Sequence, residues 1–297
     1  MIKKKIVFIV NPKAGTQKIK EIEEAIQAYL DLEKFSFEIV FTTHKGHGSE
    51  IAKEAVESDV DLIVSVGGDG SLHDVAQEVV GTDLPVAVWP LGSGNGLARS
   101  LGIPFKAKDV LDLINQFHII DMDVGEVNGH YFVATFGLGF DAEISKLFEG
   151  SKMRGFWSYF LLIIKRLPSF KPLHVKAKNQ GELIHDGQAF ILNAANVPQL
   201  GYGFEIAPLA DWQDGKFDLM VIEPVPFWRM PFIALKAFSK RLHTSKKVQR
   251  YVVEEFMIKC DHLHGYQMDG EYVSSSELSS EWVEIKIRPK GIKLLVG

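Results

Sequence analysis

With 297 residues the chain is long enough for two domains with cores of their own, and its net charge of −5 argues against nucleic acid as a partner of the whole molecule. A single cysteine, Cys260, excludes an intramolecular disulfide or a thiolate zinc cluster and fits a reducing cytoplasm. The start of the chain offers only five apolar residues (Ile6–Val10), too few for a signal peptide, and no apolar run reaches a bilayer span, so the expectation is a cytoplasmic protein, at most peripheral to a membrane.

Through about residue 120 strand and helix patterns alternate. Strands are expected at 3–10, 36–42, 60–66 and 85–90, and helices at 18–33, 49–57, 72–80 and 107–117, with Ser49 capping the second helix. Such alternation implies a parallel sheet wrapped by helices. The first strand, Ile6–Val10, gives way to the polar turn Asn11-Pro12-Lys13-Ala14-Gly15. The third ends at Gly67-Gly68-Asp69-Gly70-Ser71, where Ser71 and Asp74 have the spacing of a capping box for a helix starting after the glycines. A glycine turn between a strand end and a helix N-terminus offers bare backbone N–H groups and a positive dipole end, which suits phosphate. Asp69 inside that turn would repel phosphate unless a metal ion or a reacting proton lay between them.

The fourth strand leads into a second such turn, Leu91-Gly92-Ser93-Gly94-Asn95-Gly96. Two phosphate-binding turns on successive strands would converge on one ligand at the carboxyl edge of the sheet. Neither fits the Gly-x-x-x-x-Gly-Lys-Ser/Thr or Gly-x-Gly-x-x-Gly spacing, so the ligand is phosphate-rich but not named by those fingerprints. A purely structural turn accounts for one or two of the glycines, and poorly for Gly-Gly-Asp-Gly.

After Asp121 hairpin signals dominate: Asn128-Gly129, Asn179-Gln180-Gly181, Asp186-Gly187, Asp214-Gly215 and Asp269-Gly270. Strands near 124–136, 172–179, 183–194, 216–223, 251–259 and 281–288 imply an antiparallel sandwich or barrel, interrupted by helical insertions at about 141–167 and 226–245. The last apolar segment, within 289–297, could return to the first domain. The division expected is therefore 1–120 with 289–297, and 121–288. His262 and His264 read as surface histidines, without the partners a metal would need.

Taken together and in this order, five segments resemble the diacylglycerol kinase and sphingosine kinase superfamily of lipid kinases. They are Asn11–Gly15, Thr42 ahead of Gly46-His47, Gly67–Ser71, Leu91–Asn95 and Met268-Asp269-Gly270-Glu271. Phosphofructokinases and NAD kinases share a Gly-Gly-Asp-Gly element, but Asp-Gly-Glu on a β-rich second domain favours the lipid kinases. The resemblance implies a Rossmann-like, phosphofructokinase-like α/β domain followed by an antiparallel β-sandwich, with ATP and Mg²⁺ as cofactors. It puts Asn11, Thr42, Gly67, Gly68, Asp69, Gly70, Ser71, Gly92, Ser93 and Asn95 around ATP. It makes Glu271, with Asp269 beside it, the proton acceptor and metal-organising pair, while Asp69 acts through Mg²⁺ or as the base itself. By themselves Asp269-Gly270-Glu271 read as a hairpin turn on a polar surface.

The resemblance also implies a structural Mg²⁺ at Asp214, with backbone carbonyls of Asp211 and Lys216; a plain Asp-Gly turn is the other reading. Phe136–Glu143 is similar to the segment that opens the acceptor site, where Asp141 or Glu143 would bind a lipid head group. Gly96, where many bacterial diacylglycerol kinases carry an acid, leaves diacylglycerol and sphingoid-type lipids both open. The apolar stretch Arg154–Arg166, with cationic ends, is either a core helix or a lipid-entry helix. Arg229–Arg250 holds seven cations, among them Lys236, Lys240 and Arg241, and no acid, which fits docking on anionic lipid head groups or else a solvated helix face. The expectation is an ATP-dependent lipid kinase whose partners are a lipid substrate and an anionic membrane surface, without nucleic acid, a homodimer being left open. The alternatives are an NAD kinase-like enzyme and a non-catalytic lipid-binding protein on the same scaffold.

Overall fold

The computed structural model describes residues 3–15, 19–151, 155–261, 263–274 and 281–297. Lys18, Arg154 and His262, on which expectations above fall, lie outside them. The chain divides into two compact units, Met1–Met122 with Lys290–Gly297, and Asp123–Pro289.

In the first unit β1 (Lys4–Val10), α1 (Ile19–Tyr29), β2 (Phe35–Phe41), α2 (His47–Val56), β3 (Leu62–Gly67), α3 (Asp69–Val79) and β4 (Val86–Pro90) alternate. Two more helices follow, α4 (Gly96–Ser100) and α5 (Ala107–Gln116). The strands pair in parallel in the order β2-β1-β3-β4. Both β3 and β4 are buried along their whole length, which is why they read as continuous apolar runs rather than as alternation. Phe8, Trp89 and Ile26 anchor the core with Val110 and Ile114 of α5. Helix α1 stops at Tyr29, short of the expected residue 33, because the Asp31 carboxylate accepts the Glu33 N–H and closes a turn instead.

Two expected caps are not used. The backbone of Gly46, at φ 83°, opens α2, and Ser49 lies inside the helix with its hydroxyl donating to Glu78. Gly68 opens α3, so that helix starts at Asp69 itself and the Ser71–Asp74 box does not form. Glycine caps act through backbone shape, which a search for capping side chains passes over.

The second unit is an antiparallel sandwich. Its elements begin with β5 (Ile119–Val127, entered from the first unit), β6 (His130–Phe132), β7 (Thr135–Gly139), α6 (Phe140–Glu149) and α7 (Phe156–Arg166). They continue with β8 (Leu173–Asn179), β9 (Glu182–Ala189), β10 (Ile191–Ala195), β11 (Gln199–Gly201), β12 (Phe204–Glu205), β13 (Phe217–Ile222) and α8 (Met230–Phe238). The last are β14 (Val248–Val253), β15 (Glu255–Cys260), β16 (Gly265–Met268), β17 (Glu271–Ser274) and β18 (Val283–Leu295), whose final residues belong to the first unit and pair Leu294 with Val86.

One sheet runs β14-β13-β10-β7-β16-β17, and β18, β15, β8 and β9 pair in that order. Between these layers pack Phe136, Leu192, Phe217 and Tyr266 from one side and Val175, Phe256 and Ile285 from the other. The outer face of β10 and β13, through Ile191, Met220 and Ile222, packs against α6 and α8. The expected strands 183–194 and 251–259 each break in two, at Phe190 and Glu254, and the halves join different layers. Asp186-Gly187 is no turn either: it pairs with Lys176 and Val175 inside β9.

Gly125 of β5 faces Phe132 of β6 so closely that a Cβ at position 125 would fall within the Phe132 ring. Gly125→Ala is expected to cost about 1–3 kcal/mol in urea unfolding, and Phe132→Leu in the same chain should recover part of that loss.

Candidate active site

In the first unit three turns at the carboxyl ends of β1, β3 and β4 pack backbone against backbone. The Gly67 carbonyl accepts both the Leu91 N–H at 2.7 Å and the Gly92 N–H at 3.1 Å. A Cβ on Gly92 would stand 2.6 Å from the Gly68 Cα, and one on Gly15 would stand 2.5 Å from the Leu91 carbonyl oxygen. A Cβ on Gly67 would collide with the Ser71 hydroxyl, which lies over it and accepts the Asn11 Nδ2–H at 3.3 Å. Asn11 is held in turn by its own N–H on the Val66 carbonyl, 2.9 Å, and Thr42 by its N–H on the Val10 carbonyl, 2.9 Å. Asn95 is buried in the left-handed conformation at φ 48° and donates to the Gly92 carbonyl at 2.5 Å.

The fold thus gathers Asn11, Thr42, Gly67, Gly68, Asp69, Gly70, Ser71, Gly92 and Asn95 at one sheet edge, with Ser93 exposed at the tip of its turn. Asp69 occupies the first turn of α3, beside N–H groups that have no acceptor within the helix itself. This edge combines a close-packed glycine backbone, a helix N-terminus and one carboxylate, residue types that would suit a phosphate-bearing ligand with a hard cation.

The second unit builds a different kind of site around Gly137. That residue is paired across the sheet with Asn193 of β10 on one side and Gln267 of β16 on the other. Asp141, from the first turn of α6, comes down over the missing side chain: its Oδ2 accepts Asn193 Nδ2 at 3.2 Å and Gln267 Nε2 at 3.4 Å, and its Oδ1 accepts the Ala142 N–H at 2.9 Å. Burial pushes the Asp141 carboxyl up to about 7, against the pull of those donors. Glu143 behaves otherwise, half-buried and paired with Arg166 at 2.8 Å.

Asp269 and Gly270 form the two-residue turn between β16 and β17, with φ of 52° and 88°, so the turn reading of this motif describes its backbone. Yet the Asp269 carboxylate is buried, and it accepts the N–H groups of Val133 at 3.0 Å, Ala134 at 2.7 Å and Thr135 at 3.2 Å. It ties the hairpin to the start of β7. Gln267 strengthens the tie: its Oε1 accepts the Gly270 N–H at 2.8 Å and its Nε2 also reaches Thr135 Oγ1 at 3.2 Å. Glu271, directly after the turn, is half-exposed.

Asn193, Gln267 and Thr135 were missed by sequence reasoning. A polar residue inside the apolar run Ile191-Leu192-Asn193-Ala194-Ala195 was the available signal, and Gln267 shares the strand parity of Asp269.

At the remaining predicted position, Asp214 accepts the Lys216 N–H at 2.9 Å and Asp211 the Gln213 N–H at 3.0 Å, while buried Asp123 accepts the Gly215 N–H at 2.7 Å. Burial and the neighbouring Asp211 and Asp218 raise the Asp214 carboxyl, which a bound cation would relieve. Among the described residues no three His, Cys, Asp or Glu side chains converge as a metal cage. A hard cation at either place would need backbone carbonyls, phosphate or water to complete its shell.

Residues 5–127 match the family described as the diacylglycerol kinase catalytic domain, and residues 134–296 the family described as the YegS C-terminal NAD kinase beta sandwich-like domain. The chain belongs to this family of lipid kinases, which makes it a phosphotransferase. It is 29% identical to a diacylglycerol kinase of Bacillus subtilis over 290 residues, covering 91% of this chain and 93% of that one. The fold is shared with a diacylglycerol kinase from Bacillus anthracis, at a TM-score of 0.74 and 18% identity over 99% of this chain and 97% of that one. It is shared more loosely with an NAD kinase from Archaeoglobus fulgidus solved in complex with ATP, at 0.55 and 15% over 98% and 93%.

Two outcomes follow from the second unit. Asp269→Asn turns an NH₂ toward backbone donors, so it should cost about 1–3 kcal/mol and lower the melting temperature measurably by calorimetry. For Asp141 the folded value of about 7 lies above the unfolded 3.8, so between them the folded chain holds a proton that the unfolded chain releases. Stability should therefore fall as pH rises from about 4 to about 7, by an amount on the order of a few kcal/mol, and Asp141→Asn should flatten that slope in urea titrations.

Proposed function

We propose that the protein transfers the γ-phosphoryl group of ATP to the hydroxyl of a lipid, a diacylglycerol or a sphingoid-type lipid. The observation that carries the reading is the close packing of the three turns around Gly15, Gly68 and Gly92, which fixes glycine backbone at the ends of β1, β3 and β4 beside the N-terminus of α3. A triphosphate is the ligand such an edge fits. Asn11, Thr42, Ser93 and the Gly67–Ser71 turn would line it, and Asp69 would be the carboxylate that holds a Mg²⁺ ion. That ion supplies charge neutralisation when bound. Asp214, with the carbonyls of Asp211 and Lys216, is the corresponding candidate for a structural cation.

Phosphoryl transfer asks little covalent work of a protein: it needs in-line placement, fixed donors for the phosphate oxygens and a carboxylate near the attacking hydroxyl. We assign that last role to Glu271, the half-exposed carboxylate that follows the turn. The buried Asp269 holds the hairpin that carries it, since its oxygens are engaged by three backbone donors. The acceptor's head group would meet Asp141, beside the Asn193 and Gln267 amides. A neutral hydroxyl suits the protonated form of Asp141, and an amine suits its charged form.

The experiment is transfer of label from γ-³²P-ATP to diacylglycerol, sphingoid bases and NAD presented in parallel. Label should enter a lipid, and Glu271→Gln should lower kcat by about 10²–10⁴-fold with an unchanged melting temperature. Label on NAD alone, or full turnover in Glu271→Gln, would overturn the assignment.

A further inference from the structure

On one side of the sandwich the two layers end in the strands β14 and β9, and neither has a further neighbour among the described residues. Between these outermost strands lies an open cleft of about 500 Å³. It is lined by Ile184, His185 and Gly187 of β9, Gln249 and Tyr251 of β14, and Glu223 just after β13. None of its lining residues belongs to the glycine turns or to the surroundings of Asp141.

The hydrogen bonds in this cleft fix which atoms are left over. Gln249 Nε2 donates to Glu223 Oε1 at 3.0 Å, and the reverse amide orientation would set oxygen against carboxylate. Gln249 Oε1 therefore faces two donors, the Tyr251 hydroxyl at 2.6 Å and His185 Nδ1 at 3.2 Å. An amide oxygen only accepts, so the imidazole carries its proton on Nδ1 and presents a bare lone pair at Nε2. His185 is only 8% exposed, and that Nε2 has no partner. Its edge adjoins Gly187: a Cβ there would lie 3.7 Å from Nε2 and, apart from the adjoining chain, would meet nothing but the His185 ring within 4 Å. A buried acceptor beside vacant space is costly until something donates to it.

The neighbouring groups repeat this polarity. Tyr251 spends its proton on Gln249 and keeps an oxygen lone pair. Glu223 Oε2 accepts Lys247 Nζ at 2.8 Å, and that hydrogen bond holds its carboxyl below the usual carboxylate range, so the group stays charged with lone pairs to spare. Every atom that the network leaves available is an acceptor.

We propose that this cleft binds a small molecule bearing a primary ammonium group. An ammonium has three N–H donors and no acceptor, which answers the His185 lone pair, the Tyr251 oxygen and the Glu223 carboxylate. Ile184 and Pro224 give the cleft an apolar wall for a short carbon chain, and its volume is that of a small-ligand site. An anion fits poorly, because no Lys or Arg lines the cleft, and the Asp186 carboxylate at its border is already taken by Lys176 at 3.0 Å. A metal ion fits no better: one imidazole and one lysine-bound carboxylate are an incomplete cage, and no three such side chains converge among the described residues.

The test uses the full chain without ATP or lipid, so its outcome does not depend on the phosphotransfer reading. Butylamine, butan-1-ol and butyrate are titrated by calorimetry at about pH 8, where an alkylamine carries its charge. Butylamine should bind saturably, butan-1-ol at least ten-fold more weakly and butyrate not at all. Glu223→Gln and His185→Phe should each weaken butylamine at least ten-fold. Gly187→Ala, whose methyl group enters the gap beside Nε2 without a clash, should weaken it several-fold with an unchanged melting temperature and unchanged phosphotransfer. That variant keeps every acceptor, so it separates a blocked cleft from a disturbed fold. Absence of saturation by butylamine, equal binding of butan-1-ol, or wild-type affinity in both Glu223→Gln and Gly187→Ala would overturn the proposal.

Discussion

The approach of Gly68 to Gly92 is the constraint on which the first unit's edge depends. Strands β3 and β4 are adjacent and in register at Gly67 and Pro90, so the turns that leave them must pass each other at once. They pass without side chains, and the Gly67 carbonyl then collects two N–H groups from the neighbouring turn. A methyl group at position 92 would meet the Gly68 Cα and the Asn95 side chain, and would force the turns apart. Asn11 and Asn95 close the assembly from either side through amide hydrogen bonds, one to Ser71 and one to the Gly92 carbonyl. The turns are thereby fixed in the folded chain itself, which is the condition under which backbone dipoles would be most effective toward a charged ligand.

Within the second unit two buried carboxylates are held by different donors. Asp269 receives three backbone N–H groups and ties the β16–β17 hairpin to the start of β7. Asp141 receives one backbone N–H and two side-chain amides, and desolvation outweighs them, lifting its carboxyl to about 7. The first holds backbone in place, while the second lies over the sheet beside two side-chain amides. Gly137 makes that second position available. Any side chain there would occupy the space of Asp141 Oδ2 and keep α6 off the sheet.

Much of this was legible in the sequence, and the reasons for success and failure are physical. The parallel strands showed because burial on both faces writes an unbroken apolar run, as in Leu62–Val66. The hairpin at Asp269-Gly270 showed because left-handed backbone favours that pair. Helix starts at Gly46 and Gly68 did not, since the capping signal sought was a hydroxyl or carboxylate and the cap used was a backbone conformation. Strand breaks at Phe190 and Glu254 did not show either: alternation continues through a corner while the partner layer changes. The identity of the turn residues was readable, but the use of the Asp269 carboxylate was not, because its donors lie more than 130 residues away in sequence.

The basic segment teaches the same lesson about charge. Counted in sequence, Arg229–Arg250 is a polybasic stripe; folded, three of its cations answer Glu205, Glu223 and Asp218, and two of those acids are themselves nearly buried. These pairs hold α8 and β14 to the sandwich, so they are part of the support rather than of the surface. What the support presents outward is a row of aromatic and aliphatic side chains that the unit's own core leaves uncovered. On the reading of a lipid acceptor this division is coherent. A water-insoluble acceptor would be met at an interface, where such exposed apolar side chains could lie against lipid.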